Sequence, residues 1–326
     1  MFSLKKYSYL ISINILILLT GLILIELIFG YWFKEENFGI YMRKERKINW
    51  QSQSIFNGKK YEFYYKRNFW GFRGDELSPE NVKIIFEGGS TGNQRYTPEE
   101  NTIVGVLNDK FKTLDYDFKI YNASTDGKSV NGYINDFKFW FPKINNFYPD
   151  YVIFYVGIND RLIHNKYLDF KISEKKIDQI KDYIKNNSFF IDKLKLLKNK
   201  YFPKRTLAYN FDNKSLYNDF KFIDYKTATT IHKNLNDSDK ILIKSFNLRL
   251  NELKKIIDSQ NFQPIFITQL KFDGLKDKHL FLINNELKNF AEINNYFIIP
   301  LDEILSFNRK DFYDEIHTTP IGSKKI

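Results

Sequence analysis

Cysteine is absent from the 326 residues of this chain, and histidine occurs only four times. The lack of cysteine excludes disulfide bonds, thiolate metal sites and a cysteine nucleophile, but it does not fix the compartment. No H-E-x-x-H or comparable cluster of ligands is present. We therefore expect neither a metal nor a cofactor, and we expect His164, His232 and His279 to be surface or structural residues.

An excess of basic residues gives the chain a net charge of +11 and a sequence pI of about 9.3. The lysines are nevertheless scattered through helical and loop segments and form no single stripe. A solvated basic surface accounts for them, so we expect no nucleic-acid partner. The hydrophobic content of 43% is typical of a globular protein.

Charged side chains are missing from residues 7–25, and apolar character continues to residue 33. A helix of this length crosses a hydrocarbon core of about 30 Å, and Tyr31 and Trp32 lie where an interfacial aromatic belt is expected. A cleaved signal peptide is the alternative, but no A-x-A-like cleavage site follows the apolar run. The sequence predicts a retained transmembrane anchor over residues 1–33, in which Glu26 either pairs with a partner helix or snorkels.

Basic residues flank both ends of this segment, two before it and five between residues 34 and 47. By the positive-inside rule, the number of basic residues alone places the large domain in the cytoplasm. Long domains, however, translocate largely regardless of such charges, and a short Lys-Lys start before an apolar run resembles a signal-anchor. We predict a single-pass membrane protein whose large domain is extracytoplasmic, in the periplasm.

After the anchor, residues 34–80 read as an irregular lead-in and residues 81–326 as one α/β domain. Short β-branched and aromatic runs are the strand candidates, at 82–86, 118–122, 151–156, 264–268 and 296–300. Helical candidates alternate with them, at 101–111, 130–143, 244–259 and 279–294. This alternation predicts a parallel sheet covered by helices on both faces. An insertion at about 161–243, rich in Lys, Asn and Asp and without a clear strand, is predicted to be mostly helical and able to cap the site.

Polar residues follow four of the five predicted strands. They are residues 87–92 (EGGSTG), 122–127 (NASTDG), 157–160 (GIND) and, shortly after the fifth strand, 314–317 (DEIH). Each block is a weak indication alone, because such turns and pairs are common. Ligands of an open parallel sheet collect outside the carboxyl ends of its strands, so four such blocks at one edge predict a functional site there.

The order and context of these blocks resemble the SGNH hydrolase family, also called GDSL, from about residue 68 to the end apart from the insertion. This resemblance implies a three-layer α/β/α, flavodoxin-like fold with a mainly parallel five-stranded sheet. It also implies a catalytic triad of Ser90, Asp314 and His317, and an oxyanion hole formed by Ser90, Gly127 and Asn159. The upstream stretch GFRGDE looks like one that is often found in membrane-linked members.

Physical chemistry supports these roles independently. A serine hydroxyl is a poor nucleophile until a base such as His317 takes its proton. Asp314, three residues earlier, can hold the tautomer of that ring and stabilise the imidazolium. The backbone N–H groups of Ser90 and Gly127 and the amide of Asn159 supply three donors for a tetrahedral oxyanion. Glycine suits position 127 because a side chain there would obstruct the acyl carbonyl.

The GGSTG sequence also satisfies the G-x-S-x-G elbow of α/β-hydrolases. That fold places several strands before its nucleophile and separates acid from base by a longer stretch, so the SGNH pattern fits better. Gly89 replaces the Asp of the family's Gly-Asp-Ser signature, a variation associated with sugar-ester members, and Glu87 has no account in the sequence. Asp160 is expected to brace its loop, and Arg73 either contacts substrate or forms a structural ion pair.

The function expected from these residues is hydrolysis of an acyl ester through an acyl-serine intermediate. The expected substrate is an acylated small molecule or glycan, and the expected reaction is removal of O-acetyl or other short O-acyl groups from a glycan. One alternative is an O-acyltransferase that modifies a cell-surface polysaccharide. Another is a non-catalytic glycan-binding or assembly component, although an intact set of catalytic residues argues against it. The polar insertion reads as a solvated flap rather than a dry lid, which favours hydrolysis over transfer.

Overall fold

The computed structural model describes residues 2–30, 32–33, 49–163, 176–201, 207–212 and 221–326. In chain order, the helices of this part are α1 (Phe2–Phe29), α2 (Ser90–Asn93), α3 (Ile103–Thr113), α4 (Val130–Asn135), α5 (Lys176–Asn187), α6 (Phe189–Tyr201), α7 (Tyr225–Ile231), α8 (Asp237–Gln260), α9 (Lys278–Ile293), α10 (Leu301–Ile304) and α11 (Pro320–Lys325). The strands are β1 (Asn49–Phe56), β2 (Lys59–Lys66), β3 (Ile84–Gly88), β4 (Ile120–Asn122), β5 (Tyr151–Tyr155), β6 (Leu207–Asn210), β7 (Gln263–Ile267) and β8 (Phe297–Ile299).

Five parallel strands form the main sheet, in the order β4-β3-β5-β7-β8. Numbered within this sheet, the order is 2-1-3-4-5, which is that of flavodoxin-like folds. Strand β3 lies between β4 and β5, where Phe86 is in register with Asn122 of β4 and Ile153 of β5. The predicted fold class is therefore confirmed.

Helices cover both faces of this sheet. On one face, α3 packs against the strands through a buried cluster of Phe86, Ile103, Val104, Ile120, Ile153, Tyr155, Ile267 and Leu301. On the other, Phe154 and Phe266 stack with ring centroids 5.3 Å apart and meet Tyr133 of α4 and Phe290 of α9. Neighbouring residues of a strand point to opposite faces, so the near-continuous apolar strands fill both layers of core.

The bounds of several elements differ from the sequence prediction. The helix predicted over 130–143 is α4 followed by a π-helical turn (Asp136–Trp140) and a 3-10 turn (Phe141–Lys143), because Pro142 has no N–H to continue regular helix bonding. The helix predicted to start at 244 starts at Asp237, where Asn236 and Asp239 form a reciprocal capping box.

The lead-in is not irregular, which corrects the prediction for residues 34–80. Strands β1 and β2 form an antiparallel hairpin joined by Asn57 and Gly58, whose φ angles of 51° and 69° are those of a type I′ turn. The insertion, whose sequence shows no clear strand, contains strand β6, which pairs in parallel with β1. Residues 34–48 of the lead-in lie outside the described residues.

The chain divides into two compact units, and this division differs from the predicted domain bounds. One unit contains Met1–Lys44 and Lys171–Arg205, and the other contains Glu45–Phe170 and Thr206–Ile326. Part of the insertion therefore belongs with the N-terminal helix, and all of the described lead-in belongs with the main sheet.

The first unit contains α1, α5 and α6. Within α1, Lys6–Phe29 is long and apolar enough to cross a membrane. The carboxylate of Glu26 accepts the backbone N–H groups of Phe189 (2.9 Å) and Phe190 (3.2 Å). It thereby caps the first turn of α6, whose N–H groups have no partner within their own helix, and the partner helix expected for Glu26 comes from the same chain.

Candidate active site

Ser90 stands at the sharp turn between β3 and α2. The strand ends at Gly88, Gly89 occupies the N-cap, and Ser90 is the first residue of the helix. The first N–H groups of a helix have no intrahelical acceptor, so that of Ser90 is available to a substrate oxygen. The absence of a side chain at position 89 also has a local cause, because a Cβ there would lie 2.3 Å from Nδ2 of Asn159.

A continuous line of hydrogen bonds joins the three predicted triad residues. Nε2 of His317 lies 2.8 Å from Oγ of Ser90, and Nδ1 of the same ring lies 2.7 Å from Oδ2 of Asp314. Ser90 and His317 are 227 residues apart in the sequence. In the tautomer that satisfies both contacts, Nδ1–H donates to Asp314 and Nε2 accepts the serine hydroxyl.

Asp314 is held in place by its own turn. Its Oδ1 accepts the backbone N–H groups of Ile316 (2.9 Å) and His317 (2.7 Å). Burial raises the pKa of Asp314, but its hydrogen bonds and the charge of His317 outweigh burial and hold the pKa below the ordinary value. Asp314 is therefore an anion at neutral pH, which is the state that stabilises an imidazolium.

Gly127 and Asn159 lie on the loops that follow β4 and β5. Gly127 has a φ of +79°, a conformation that favours glycine, and no atom lies within 4 Å of a Cβ built there. The amide of Asn159 donates one N–H to the carbonyl oxygen of Lys128 at 2.8 Å. A primary amide has two N–H donors, so this bond orients the group and leaves the second N–H for another acceptor.

Two glutamines that the sequence analysis missed connect the pieces of the site. Nε2 of Gln269 donates to Oγ1 of Thr91 (3.0 Å), and its Oε1 accepts the N–H of Ile158 (2.7 Å). Gln94 links the nucleophile turn to the residue after His317 through Thr318 (3.0 Å). Gln269 follows the carboxyl end of β7, so the strand-end pattern that identifies the other candidate residues also applies to it.

The structure explains Glu87, which the sequence did not. Nζ of Lys128 contacts Oε2 of Glu87 (2.7 Å) and Oδ2 of Asp136, and all three side chains are nearly or fully buried. Burial raises the pKa of Glu87 well above its ordinary value. Its Oε1 has no hydrogen-bond partner among the described residues, which fits an uncharged carboxyl. Because Lys128 also carries the carbonyl that orients Asn159, this cluster fixes the loop that supplies Gly127.

The Glu87→Gln variant should change how stability depends on pH. Unfolded Glu87 loses its proton near a pKa of about 4.3, whereas the folded chain retains it. Folding therefore takes up a proton, and the free energy of unfolding falls as pH rises above that value, by up to about 1.4 kcal/mol per pH unit. Gln mimics the protonated side chain, so the variant should lack this fall.

Unfolding of the detergent-solubilised chain by urea, from pH 5 to pH 8, measures the difference. Glu292→Gln is the control, because it removes an exposed carboxylate at the end of α9 and should follow the wild-type pH dependence. If the free energy of unfolding depends on pH in the same way for the wild type and Glu87→Gln, then Glu87 is ionised in the folded protein.

The other candidate residues have structural roles. Arg73 pairs with Glu99 through Nε at 2.7 Å and donates to backbone carbonyls of the nucleophile turn, so the ion-pair interpretation holds. Oδ1 of Asp160 accepts the backbone N–H of Val130 at 3.3 Å and lies 3.4 Å from Nη2 of Arg249. Asp160 therefore connects its own loop to α4 and α8. His232 contacts the carbonyl of Leu275 at 2.9 Å. His279 lies 3.5 Å from Asp239, and His164 lies outside the described residues.

The described part of the chain holds no group of three or more His, Asp or Glu residues able to bind a metal ion. Residues 164–175, 202–206 and 213–220 of the predicted flap lie outside the described residues. Its expected role in favouring water over a sugar acceptor therefore stays a prediction.

Comparison with known proteins gives matches in structure alone. No protein-family model and no curated protein matches the sequence. An acetyl xylan esterase, AlAXEase, is similar over 74% of this chain and 94% of its own, with 14% identity and a TM-score of 0.39. The psychrotrophic esterase EstA from Pseudoalteromonas sp. is similar over 67% and 75%, with 11% identity and a TM-score of 0.35. A lipolytic protein of the G-D-S-L family from Veillonella parvula is similar over 74% and 92%, with 16% identity and a TM-score of 0.37. All three descriptions name esterases or lipolytic proteins.

Proposed function

We propose that this chain is a serine-nucleophile carboxylic ester hydrolase in which Ser90, His317 and Asp314 form the catalytic triad. The observation that carries the proposal is the unbroken line from Oγ of Ser90 through the imidazole to the carboxylate, with contacts of 2.8 and 2.7 Å. These distances are those required for proton transfer between nucleophile and base.

In the acylation step, Oγ of Ser90 attacks the ester carbonyl carbon while Nε2 of His317 takes the hydroxyl proton. The carbonyl oxygen becomes an oxyanion and accepts hydrogen bonds from the N–H groups of Ser90 and Gly127 and from the amide of Asn159. His317 then gives its proton to the leaving alkoxide, so an alcohol departs and an acyl-serine remains.

In the deacylation step, water replaces the alcohol. Nε2 of His317 takes a proton from the water as it attacks the acyl carbon, and the same three donors stabilise the second oxyanion. Collapse of this intermediate breaks the bond to Ser90, which recovers its proton from His317, and releases a carboxylic acid. Asp314 holds the imidazolium in both steps.

For the substrate, we propose an O-acylated glycan, with acetyl as the acyl group. This part rests on the resemblance of the four blocks to SGNH enzymes and on Gly89, the variation associated with sugar-ester members. The crowding between position 89 and Nδ2 of Asn159 ties that variation to the proposed oxyanion hole.

A fluorophosphonate probe that reacts with activated serines should label the wild-type chain and not the Ser90→Ala variant. The probe requires a serine whose proton is removed by a base, so labelling reports the triad without any assumption about the substrate. Gel fluorescence of purified protein is the measurement, and a heat-denatured sample is the control. Equal labelling of the folded variant would place the nucleophile elsewhere.

We also propose that α1 anchors the chain in the membrane with the large domain outside the cytoplasm. Reporter fusions placed after residue 60 should be active when the reporter works in the periplasm. If the fusion protein is absent from the membrane fraction and the mature chain lacks residues 1–33, the segment is instead a cleaved signal peptide. Activity of a cytoplasm-dependent reporter alone would reverse the orientation.

A further inference from the structure

A run of aromatic rings extends outward from the proposed base. The ring of Tyr313 stacks on His317 with centroids 5.5 Å apart and an interplanar angle of 10°. Tyr209 of β6 and Phe211 each lie 4.5 Å from Tyr313, and Tyr96 lies 5.2 Å from Tyr209. We call these four residues, Tyr96, Tyr209, Phe211 and Tyr313, the aromatic patch.

Two members of the aromatic patch reach the surface. Tyr313 and Phe211 are buried, with exposures of 5% and 8%, and pack on Phe56 of the hairpin. Tyr96 and Tyr209 are only partly buried. Burial, together with the charge of Asp314, raises the pKa of Tyr209, so its hydroxyl stays protonated at neutral pH.

An ion pair borders the same region. Arg95, the residue before Tyr96, contacts Oδ2 of Asp126 at 2.9 Å, and both side chains are partly exposed. Asp126 directly precedes Gly127 of the proposed oxyanion hole and accepts the amide of Asn93 at 2.6 Å. Because Arg95 directly precedes Tyr96 in the chain and contacts Asp126, the ion pair borders the aromatic patch.

The proposed mechanism determines which half of the ester lies beside the aromatic patch. His317 must lie within hydrogen-bond reach of the leaving oxygen in order to protonate it. The alcohol half of the substrate therefore lies beside His317, and the aromatic patch continues from that ring. The acyl half lies toward the oxyanion donors.

We propose that Tyr209 and Tyr96, bordered by Arg95 and Asp126, form a binding subsite for a sugar ring in the alcohol half of the ester. The inference rests on the proposed esterase function and deepens it. A sugar ring has apolar C–H faces, which pack on aromatic faces, and hydroxyl edges, which a carboxylate and a guanidinium bind. A hydrocarbon alcohol would instead bury Arg95 and Asp126 against apolar groups, which is costly.

The test compares esters that share the acetyl group and differ only in the alcohol. The substrates are ethyl acetate and mono-O-acetylated methyl glycosides of glucose, mannose and N-acetylglucosamine. The readout is a selectivity ratio, the kcat/KM for the best glycoside divided by that for ethyl acetate. The wild-type ratio should exceed one. Tyr209→Ala should lower it about tenfold, the loss of roughly 1.4 kcal/mol that an aromatic contact contributes, chiefly through KM.

Matched variants separate stacking from other effects. Tyr209→Phe keeps the ring and should keep most of the ratio, and Tyr148→Ala removes a tyrosine that is 79% exposed and should leave the ratio unchanged. A wild-type ratio below one for every glycoside, or an equal loss of both activities in Tyr209→Ala, would overturn the subsite alone. If the wild type hydrolyses neither ethyl acetate nor any of the acetylated glycosides, the proposed function itself is wrong.

Discussion

The Ser90→Ala variant should lose at least about 10⁴-fold in kcat for a short-chain aryl acetate while it keeps its fold. Removal of one triad member typically costs 10⁴–10⁶-fold, because the remaining residues cannot form the acyl intermediate. Oγ of Ser90 makes a contact with Nε2 of His317, and alanine is well tolerated as the first residue of a helix. The loss should therefore be catalytic and not structural.

Initial rates with an aryl acetate, together with circular dichroism and thermal unfolding, measure the two effects separately. Ser259→Ala is the matched control, because Ser259 is an exposed serine near the end of α8 whose hydroxyl contacts only the carbonyl of Ile256 among the described residues. A folded Ser90→Ala variant with most of its activity would mean that the chain hydrolyses esters by another residue.

The sequence is sufficient to predict the sheet and the proximity of Asp314 to His317, because both depend on local patterns. Near-continuous apolar runs such as that of β5 occur only where a strand is buried on both faces, and parallel strands carry their following loops to one edge. The Asp314 and His317 pair needs no distant information, since an Asx-type turn brings residues three apart together. Only the long link from His317 to Ser90 depends on the fold, and the strand order provides it.

The hairpin was predictable and was missed. Asn57 and Gly58 between two runs of alternating residues are the strongest short-range indication of a type I′ turn, and the structure shows both residues at positive φ. The polar residues of β1 and the three lysines of β2 hide the strand pattern, because this small sheet exposes much of one face.

Other parts of the site depend on contacts that no local pattern encodes. Lys128 and Glu87 are 41 residues apart and meet because neighbouring loops of the sheet converge. Lysine is rarely buried in proteins, so the sequence predicts Lys128 at the surface. Parallel pairing of β6 with β1 places Tyr209 against Tyr313. A four-residue strand inside a polar insertion gives no periodic pattern to detect.

The Asn159→Ala variant should lower kcat by about 10²–10³-fold, with a smaller change in KM. This is the range observed when one donor of an oxyanion hole is removed. The reason is that developing charge on the carbonyl oxygen, and not the neutral ester, gains most from a positioned N–H. The bond from Asn159 to the carbonyl of Lys128 fixes the amide before substrate arrives, so the donor needs no reorganisation during the reaction.

Steady-state kinetics of Asn159→Asp alongside Asn159→Ala separate the donor from the volume of the side chain. Aspartate keeps the size of asparagine, but an ionised carboxylate only accepts hydrogen bonds and repels an oxyanion. It should therefore be at least as impaired as alanine, although it fills the space beside Gly89. An Asp variant with near wild-type kcat would assign Asn159 a packing role, and a change confined to KM in the Ala variant would make it a substrate-binding residue.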